Sequence, residues 1–168
     1  FTKNAFPTVK NVVLIGGGIG ATPLISMFRY IANSSECEDL RLLVFYSSSS
    51  QEELLFLDEF VEAHKKANNS KLPNQARVHC ILRTTKKEPH LQTDFPNFLQ
   101  QGRIDKDILQ DGLCKFFGLE SSKLAGEQLD ETSTKFFLSG PTKMLDEVPQ
   151  ILEKELHVNK SIIRYEKW

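Results

Sequence analysis

Six consecutive residues are suited to chemistry by type and spacing: Gly16, Gly17, Gly18, Ile19, Gly20 and Ala21. Backbone without a Cβ takes positive φ and can come close to a pyrophosphate, whose charge is met by free N–H groups and the positive end of a following helix. The string fits the G-x-G-x-x-A dinucleotide pattern on Gly16, Gly18 and Ala21. Two features limit that reading. The carboxylate that a dinucleotide site places about 20 residues on, at the tip of a second strand, is absent, and Ser47, Ser48, Ser49 and Ser50 stand there instead. No Gly-Lys-Ser/Thr follows the glycines, which excludes a phosphate-binding P-loop. A glycine turn that merely packs a strand closely against a helix is the competing reading. His64, His79, His90 and His157 lie at no ligand spacing, and Cys37, Cys80 and Cys114 form no CxxC or Cys/His pattern, so no metal site is expected. The pairs Glu52-Glu53 and Asp58-Glu59 read as helix-dipole and solvent-face charges rather than paired general acids.

The elements that must position the glycine turn are legible around it. Asn11-Val12-Val13-Leu14-Ile15 is short, apolar and β-branched, which predicts a central parallel strand buried on both faces. Leu24, Ile25, Phe28 and Ile31 then recur at helical spacing, predicting a helix from Thr22 to about Ala32 with Pro23 in its first turn. Leu40 to Tyr46 is a second strand, cut off by the serines. Glu52 and Glu53 mark the start of a second helix that carries Leu54, Leu57, Val61 and His64 on one face. A polar loop, 68–75, leads to a third strand, Ala76 to Leu82, and residues 84–102 read as irregular. A short helix is expected near 105–111, a polar surface excursion over 120–133, and a fourth strand from Thr134 to Leu138. A helical stripe through 141–156 contains Pro149, which should kink or divide it, and Ile162 to Tyr165 is the last strand. The fold class expected is α/β: an open, doubly wound parallel sheet of about five strands with helices on both faces.

With 168 residues, 40% hydrophobic and 26% charged, the chain suits one compact soluble domain. A net charge of −1 and the lack of a basic stripe interleaved with aromatics argue against nucleic acid as a partner. The apolar run Val12 to Ile15 falls far short of the about 20 residues of a transmembrane segment, so none is expected. The first residues carry neither a secretory signal nor an Arg-rich presequence. An intracellular protein is expected, with mitochondrion and cytoplasm both open.

Extended to Thr22, Pro23 and Leu24, the glycine string resembles the pyridine-nucleotide half of the ferredoxin–NADP reductase and cytochrome b5 reductase superfamily. Four further segments resemble that superfamily in its own order. They are Tyr46 to Phe56, Gly102-Arg103-Ile104, Ser139-Gly140-Pro141-Thr142-Lys143-Met144, and the aromatic end Tyr165-Glu166-Lys167-Trp168. The last is especially similar to eukaryotic oxidoreductase NAD-binding-domain-containing proteins. The resemblance implies a domain over 11–168, with 1–10 as the linker from a preceding FAD-binding barrel whose Arg-x-Tyr-Ser/Thr motif this chain lacks.

By the same resemblance, Gly16 to Ala21 hold the pyrophosphate of NADH and Thr22 and Pro23 line the nicotinamide pocket. Tyr46, Ser47, Ser48 and Ser49 meet the adenosine ribose, Gly140 and Pro141 approach the nicotinamide from its other side, and Met144 flanks the adenine. Ser139 stands where the family has a cysteine near the hydride path, and Trp168 can cover the flavin ring. The implied step is hydride transfer from nicotinamide C4 to flavin N5, toward an unknown electron acceptor, with the FAD domain in cis as partner. Two other readings stay open: a non-catalytic NAD(P)-binding sensor and a flavodoxin-like interaction module. Ser49 replaces an arginine that many members use for a 2′-phosphate, which favours NADH. NADPH stays open because Arg83, Lys86 or Lys87 can supply charge.

Overall fold

The structure is a computed structural model describing residues 3–67, 77–86 and 99–165. Six strands form one sheet: β1 (Asn11–Gly17), β2 (Arg41–Ser48), β3 (Arg77–Thr84), β4 (Leu99–Gln101), β5 (Thr134–Ser139) and β6 (Ile163–Tyr165). Their spatial order is β4-β3-β2-β1-β5-β6, and every pairing is parallel. The expected doubly wound α/β architecture is therefore present, with six strands rather than about five. The extra one is β4, three residues at the sheet edge inside the stretch read as irregular; Leu-Gln-Gln is too short and too polar to announce a strand.

Side-chain alternation divides the core in two. Val12 and Leu14 of β1, with Leu42, Val44 and Tyr46 of β2, pack on one face against α1 (Thr22–Asn33) and α2 (Leu57–Ala67). Val13, Ile15, Leu43 and Phe45 pack on the other against α3 (Lys106–Phe117) and α4 (Thr142–Gln150). The run Val12–Ile15 is at most 1% exposed, as a strand covered on both faces requires.

Three helices depart from the sequence expectation. Residues 51–56 form turns, so α2 starts at Leu57, and Asp58 and Glu59 rather than Glu52 and Glu53 occupy its first turn. The break falls at Phe56, which adopts φ 63°, left-handed backbone that no helix interior accommodates. The short helix near 105–111 extends as α3 to Phe117, begun by Asp105, whose carboxylate accepts from the Ile108 N–H at 3.0 Å, and ended by Gly118 at φ 69°. Pro149 divides the last helix: α4 stops at Gln150 and one turn of π-helix, Ile151–Glu155, follows. The 120–133 excursion is less superficial than its polarity suggests, since Ala125 and Leu129 are buried in the α3/α4 core. The loop 68–75 and Ala76 lie outside the described residues.

Candidate functional site

From β1 the chain crosses through α1 to β2, and from β5 through α4 to β6, in opposite directions across the sheet. The carboxyl ends of β1 and β5 therefore border a topological switch point, where an open α/β sheet has its ligand crevice. A cleft of about 300 Å³ opens there. Its size falls at the lower end of small-molecule sites, about 300–1,000 Å³. Gly17 and Gly18 form its floor. The wall is made by the β2 tip Ser47–Ser49 with Glu53, Thr85 after β3, Arg103 with Ile104, and Pro141, Lys143, Met144, Glu147, Val148 and Ile151 along the last helix.

The glycines of the turn do different work. Gly18 is at φ 52°, in left-handed backbone, and a Cβ there would meet nothing within 4 Å. It is the open position of the turn, facing the cleft. A Cβ on Gly20 would lie 2.6 Å from Gly140 Cα, and one on Gly17 2.7 Å from Met144 Sδ. These two therefore serve the close approach of the β1–α1 turn to the β5–α4 turn. The turn itself is a single 3₁₀ stretch, Gly18–Ala21, running directly into α1, and no side chain caps that helix. Thr22 Oγ1 donates back to the Ile19 carbonyl at 2.7 Å. The first amides of α1 thus stay unused by side chains, the condition under which a helix start serves an anion.

Hydroxyls surround this turn. Tyr46 is fully buried, donates to the Gly18 carbonyl at 3.2 Å and accepts from the Leu55 N–H at 3.2 Å. Burial pushes its phenol upward, the Leu55 N–H working against that, so the group stays a neutral donor. Ser139, also buried, donates to the Gly20 carbonyl. Ser48 donates to Glu53 Oε2 at 3.5 Å, and the Ser48 and Ser49 carbonyls accept from Thr85 and Lys86 N–H groups at 3.0 and 2.9 Å. The serine tip is thus held on the β3 end rather than left as a free loop.

Of the residues singled out by sequence, Gly17, Gly18, Ser47, Ser48, Ser49, Pro141 and Met144 line the cleft. Gly16 and Ala21 are buried beneath the turn, while Ile19, Thr22 and Pro23 are exposed beyond it. Gly20 and Gly140 meet backbone to backbone, and Tyr46 and Ser139 point their hydroxyls at the turn rather than line the cleft. Trp168 lies outside the described residues, as does Lys87. Arg83 spends its Nη1 on the Gln101 carbonyl at 3.0 Å and does not line the cleft. Glu53, Thr85, Arg103, Lys143 and Glu147 were not identified as site residues. Three of them lie in segments the sequence marks, Glu53 within Tyr46 to Phe56, Lys143 within Ser139–Met144 and Arg103 after Gly102, which at φ 126° with its N–H on the Thr84 carbonyl turns the chain so that Arg103 reaches the cleft. Among the described residues no His/Cys/Asp/Glu group suits a metal ion, and no helix is long and apolar enough to cross a membrane.

The family model for the oxidoreductase NAD-binding domain matches residues 14–150, which includes the turn, the serine tip and the Ser139–Met144 segment. The chain belongs to that family. Among its relatives, the human oxidoreductase NAD-binding domain-containing protein 1 is 29% identical over 171 residues, covering 95% of this chain and 46% of the relative. A flavohemoprotein of Rhodopirellula baltica is 26% identical over 166 residues, 99% of this chain and 34% of its own length. The chain thus spans about half, or less, of the relatives it matches. In fold it is similar to the cytochrome b5 reductase domain of Ulva prolifera nitrate reductase, with a TM-score of 0.67 at 18% identity over 94% of this chain and 49% of that one. It is also similar to the CS-b5R domains of human Ncb5or, with a TM-score of 0.69 at 15% identity over 99% and 39%.

Proposed function

We propose that this domain of the family binds NADH as one half of a flavin-dependent oxidoreductase, with residues 1–10 as the linker from an FAD-binding barrel. Gly18 carries the proposal: an open, left-handed glycine at the end of the central strand, on the floor of the cleft, where packing asks for no glycine. The diphosphate lies over Gly17 and Gly18 against the start of α1. The adenosine lies toward Ser47–Ser49, Thr85 and Met144. The nicotinamide lies on the far side, by Ile19, Thr22, Pro23, Ser139 and Gly140, where a flavin-bearing domain can cover Ile19, now 82% exposed.

When bound, dihydronicotinamide supplies a hydride from C4 to flavin N5. This chain contributes orientation and exclusion of water, for which neither an acid nor a base is needed. The Glu53 carboxylate, beside the serine tip, repels a 2′-phosphate and favours NADH over NADPH; Arg103, which lines the same cleft, tempers that preference. A second reading, a sensor that binds the dinucleotide without transferring hydride, is favoured by one observation: the Ser139 hydroxyl is already spent on the Gly20 carbonyl. Calorimetric titration of the full-length protein with NADH, NADPH and ADP-ribose tests the proposal, beside a Gly18→Val variant. Saturable binding in the order NADH before NADPH, lost in Gly18→Val, is expected. No binding of any of the three at millimolar concentration overturns it and leaves an interaction module. Binding without flavin reduction selects the sensor.

A further inference from the structure

The register of the sheet places two hydroxyl side chains symmetrically about the start of the glycine turn. Gly16 of β1 pairs with Tyr46 on β2 and with Ser139 on β5. Alternation points both toward the α1 face of the sheet: Tyr46 packs there with Val44 and Leu42, and Ser139 follows Phe137, which packs against the same cluster. Each donates to a different carbonyl of the turn, Tyr46 to Gly18 and Ser139 to Gly20. Both side chains are buried, which limits the competition of water for these bonds.

A planar trans peptide holds its C=O and N–H on opposite sides. Fixing the Gly18 carbonyl on Tyr46 therefore turns the Ile19 N–H away from the core, while the Ser139 bond to the Gly20 carbonyl holds the plane of the following peptide, whose Ala21 N–H closes the 3₁₀ turn on the Gly18 carbonyl. We propose that Tyr46 and Ser139 are a pair of positioning residues that set the peptide planes of the turn from its two flanks, Tyr46 aiming the Ile19 amide at the diphosphate of the coenzyme and Ser139 holding the turn in that shape. The pairing also ties the two ends of the cleft together. The same Tyr46 oxygen accepts from the Leu55 N–H, at the close of the 51–56 turns that present Glu53, so the diphosphate turn and the ribose-side turn share one anchor. On the other flank, Ser139 precedes Gly140, whose backbone touches Gly20. Serine suits this task where cysteine does not, because a hydroxyl is a far better hydrogen-bond donor to a carbonyl than a thiol. Neither side chain needs to touch the ligand. Tyr46 thereby does its work from inside the core, not as a wall of the ribose site.

The inference rests on the nucleotide reading of the cleft, and one experiment separates the two. ADP-ribose, which has no nicotinamide ring, is titrated by calorimetry into the full-length protein and into Tyr46→Phe, Ser139→Ala and the double variant, with thermal unfolding measured on each. Each single variant is expected to weaken ADP-ribose binding about tenfold. The double variant is expected to fall short of a hundredfold, because a turn freed on one flank gains less from the other. Because the probe lacks the ring, a loss in Ser139→Ala cannot come from contact with nicotinamide. A purely structural role lowers the melting temperature and leaves the dissociation constant of the folded protein unchanged, and that result in either folded variant overturns the pairing. Should Tyr46→Phe not fold, Ser139→Ala decides alone. Binding by the unsubstituted protein shared undiminished by the variants refutes this inference only, whereas no binding by the unsubstituted protein refutes the nucleotide reading beneath it.

Discussion

Gly20→Ala and Gly18→Ala are the same chemical change two residues apart, and the structure assigns them opposite consequences. At Gly20 the new methyl would stand 2.6 Å from Gly140 Cα, 3.0 Å from its nitrogen and 3.1 Å from its carbonyl carbon, all backbone. No rotamer change relieves a clash with main chain, so the two turns must part until the methyl stands at least 3.4 Å, an ordinary van der Waals distance, from that backbone. The displacement works against the Ser139–Gly20 hydrogen bond and the packing of Met144 on Gly17. Overpacking of this kind costs about 2–3 kcal/mol. In a domain of this size that lowers the melting temperature by about 5–10 °C. At Gly18 the methyl meets nothing within 4 Å, and the cost is only that of holding an L-residue at φ 52°, about 1 kcal/mol or 2–4 °C. Its methyl, however, stands on the cleft floor, so ADP-ribose affinity should fall at least tenfold. Scanning calorimetry and ligand titration on both variants supply the four numbers. A Gly20→Ala protein that melts within 2 °C of the unsubstituted one would refute the close-approach argument, and a Gly18→Ala protein with undiminished affinity would refute the phosphate argument.

Other expectations follow from single side chains. Gly112→Ala places a methyl 2.6 Å from Ile81 Cδ1 and 2.7 Å from Phe45 Cζ, beneath α3; with Phe45 fully buried, thermal melts should drop by about 4–8 °C, reduced to the extent that Ile81 can move. His79 is held down to about 4 by burial and then by the neighbouring His64, whose own value is lowered by burial. A depressed histidine binds more protons unfolded than folded, so stability is full above about 6.5 and is lost as pH falls from there to about 4. With partly solvated rings the loss is on the order of 1 kcal/mol, and urea titrations across that window should show a flatter profile in His79→Phe. Glu53→Gln removes the charge beside the serine tip, and the ratio of NADPH to NADH affinity should rise about threefold to tenfold by calorimetry; an unchanged ratio takes Glu53 out of coenzyme selection.

How much of this was readable from the chain depends on how local the signal is. The β1 run Val12–Ile15, the glycine turn and the Leu24, Ile25, Phe28, Ile31 stripe of α1 lie within about 20 residues, and their periods alone specify strand, turn and helix. Residues 51–56 escaped because a left-handed Phe56 is a tertiary imposition, Phe56 being packed on the core and lying under the Arg29 guanidinium at 5.2 Å. Strand β4 escaped because three residues carry no period.

At the site, the residue order announced that glycines 16, 17, 18 and 20 mark a turn between a strand and a helix, and that serines, not a carboxylate, end the second strand. It could not divide the labour among those glycines. That division depends on which backbone lies opposite, and β5, more than 110 residues downstream, became the neighbour of β1 only through the strand order β2-β1-β5. The same long-range pairing set Tyr46 and Ser139 on either side of Gly16 and brought Glu53 and Arg103 to one cleft. Periodicity is a property of neighbours along the chain, whereas a binding site is a property of neighbours in space, and only the assembled sheet converts one into the other.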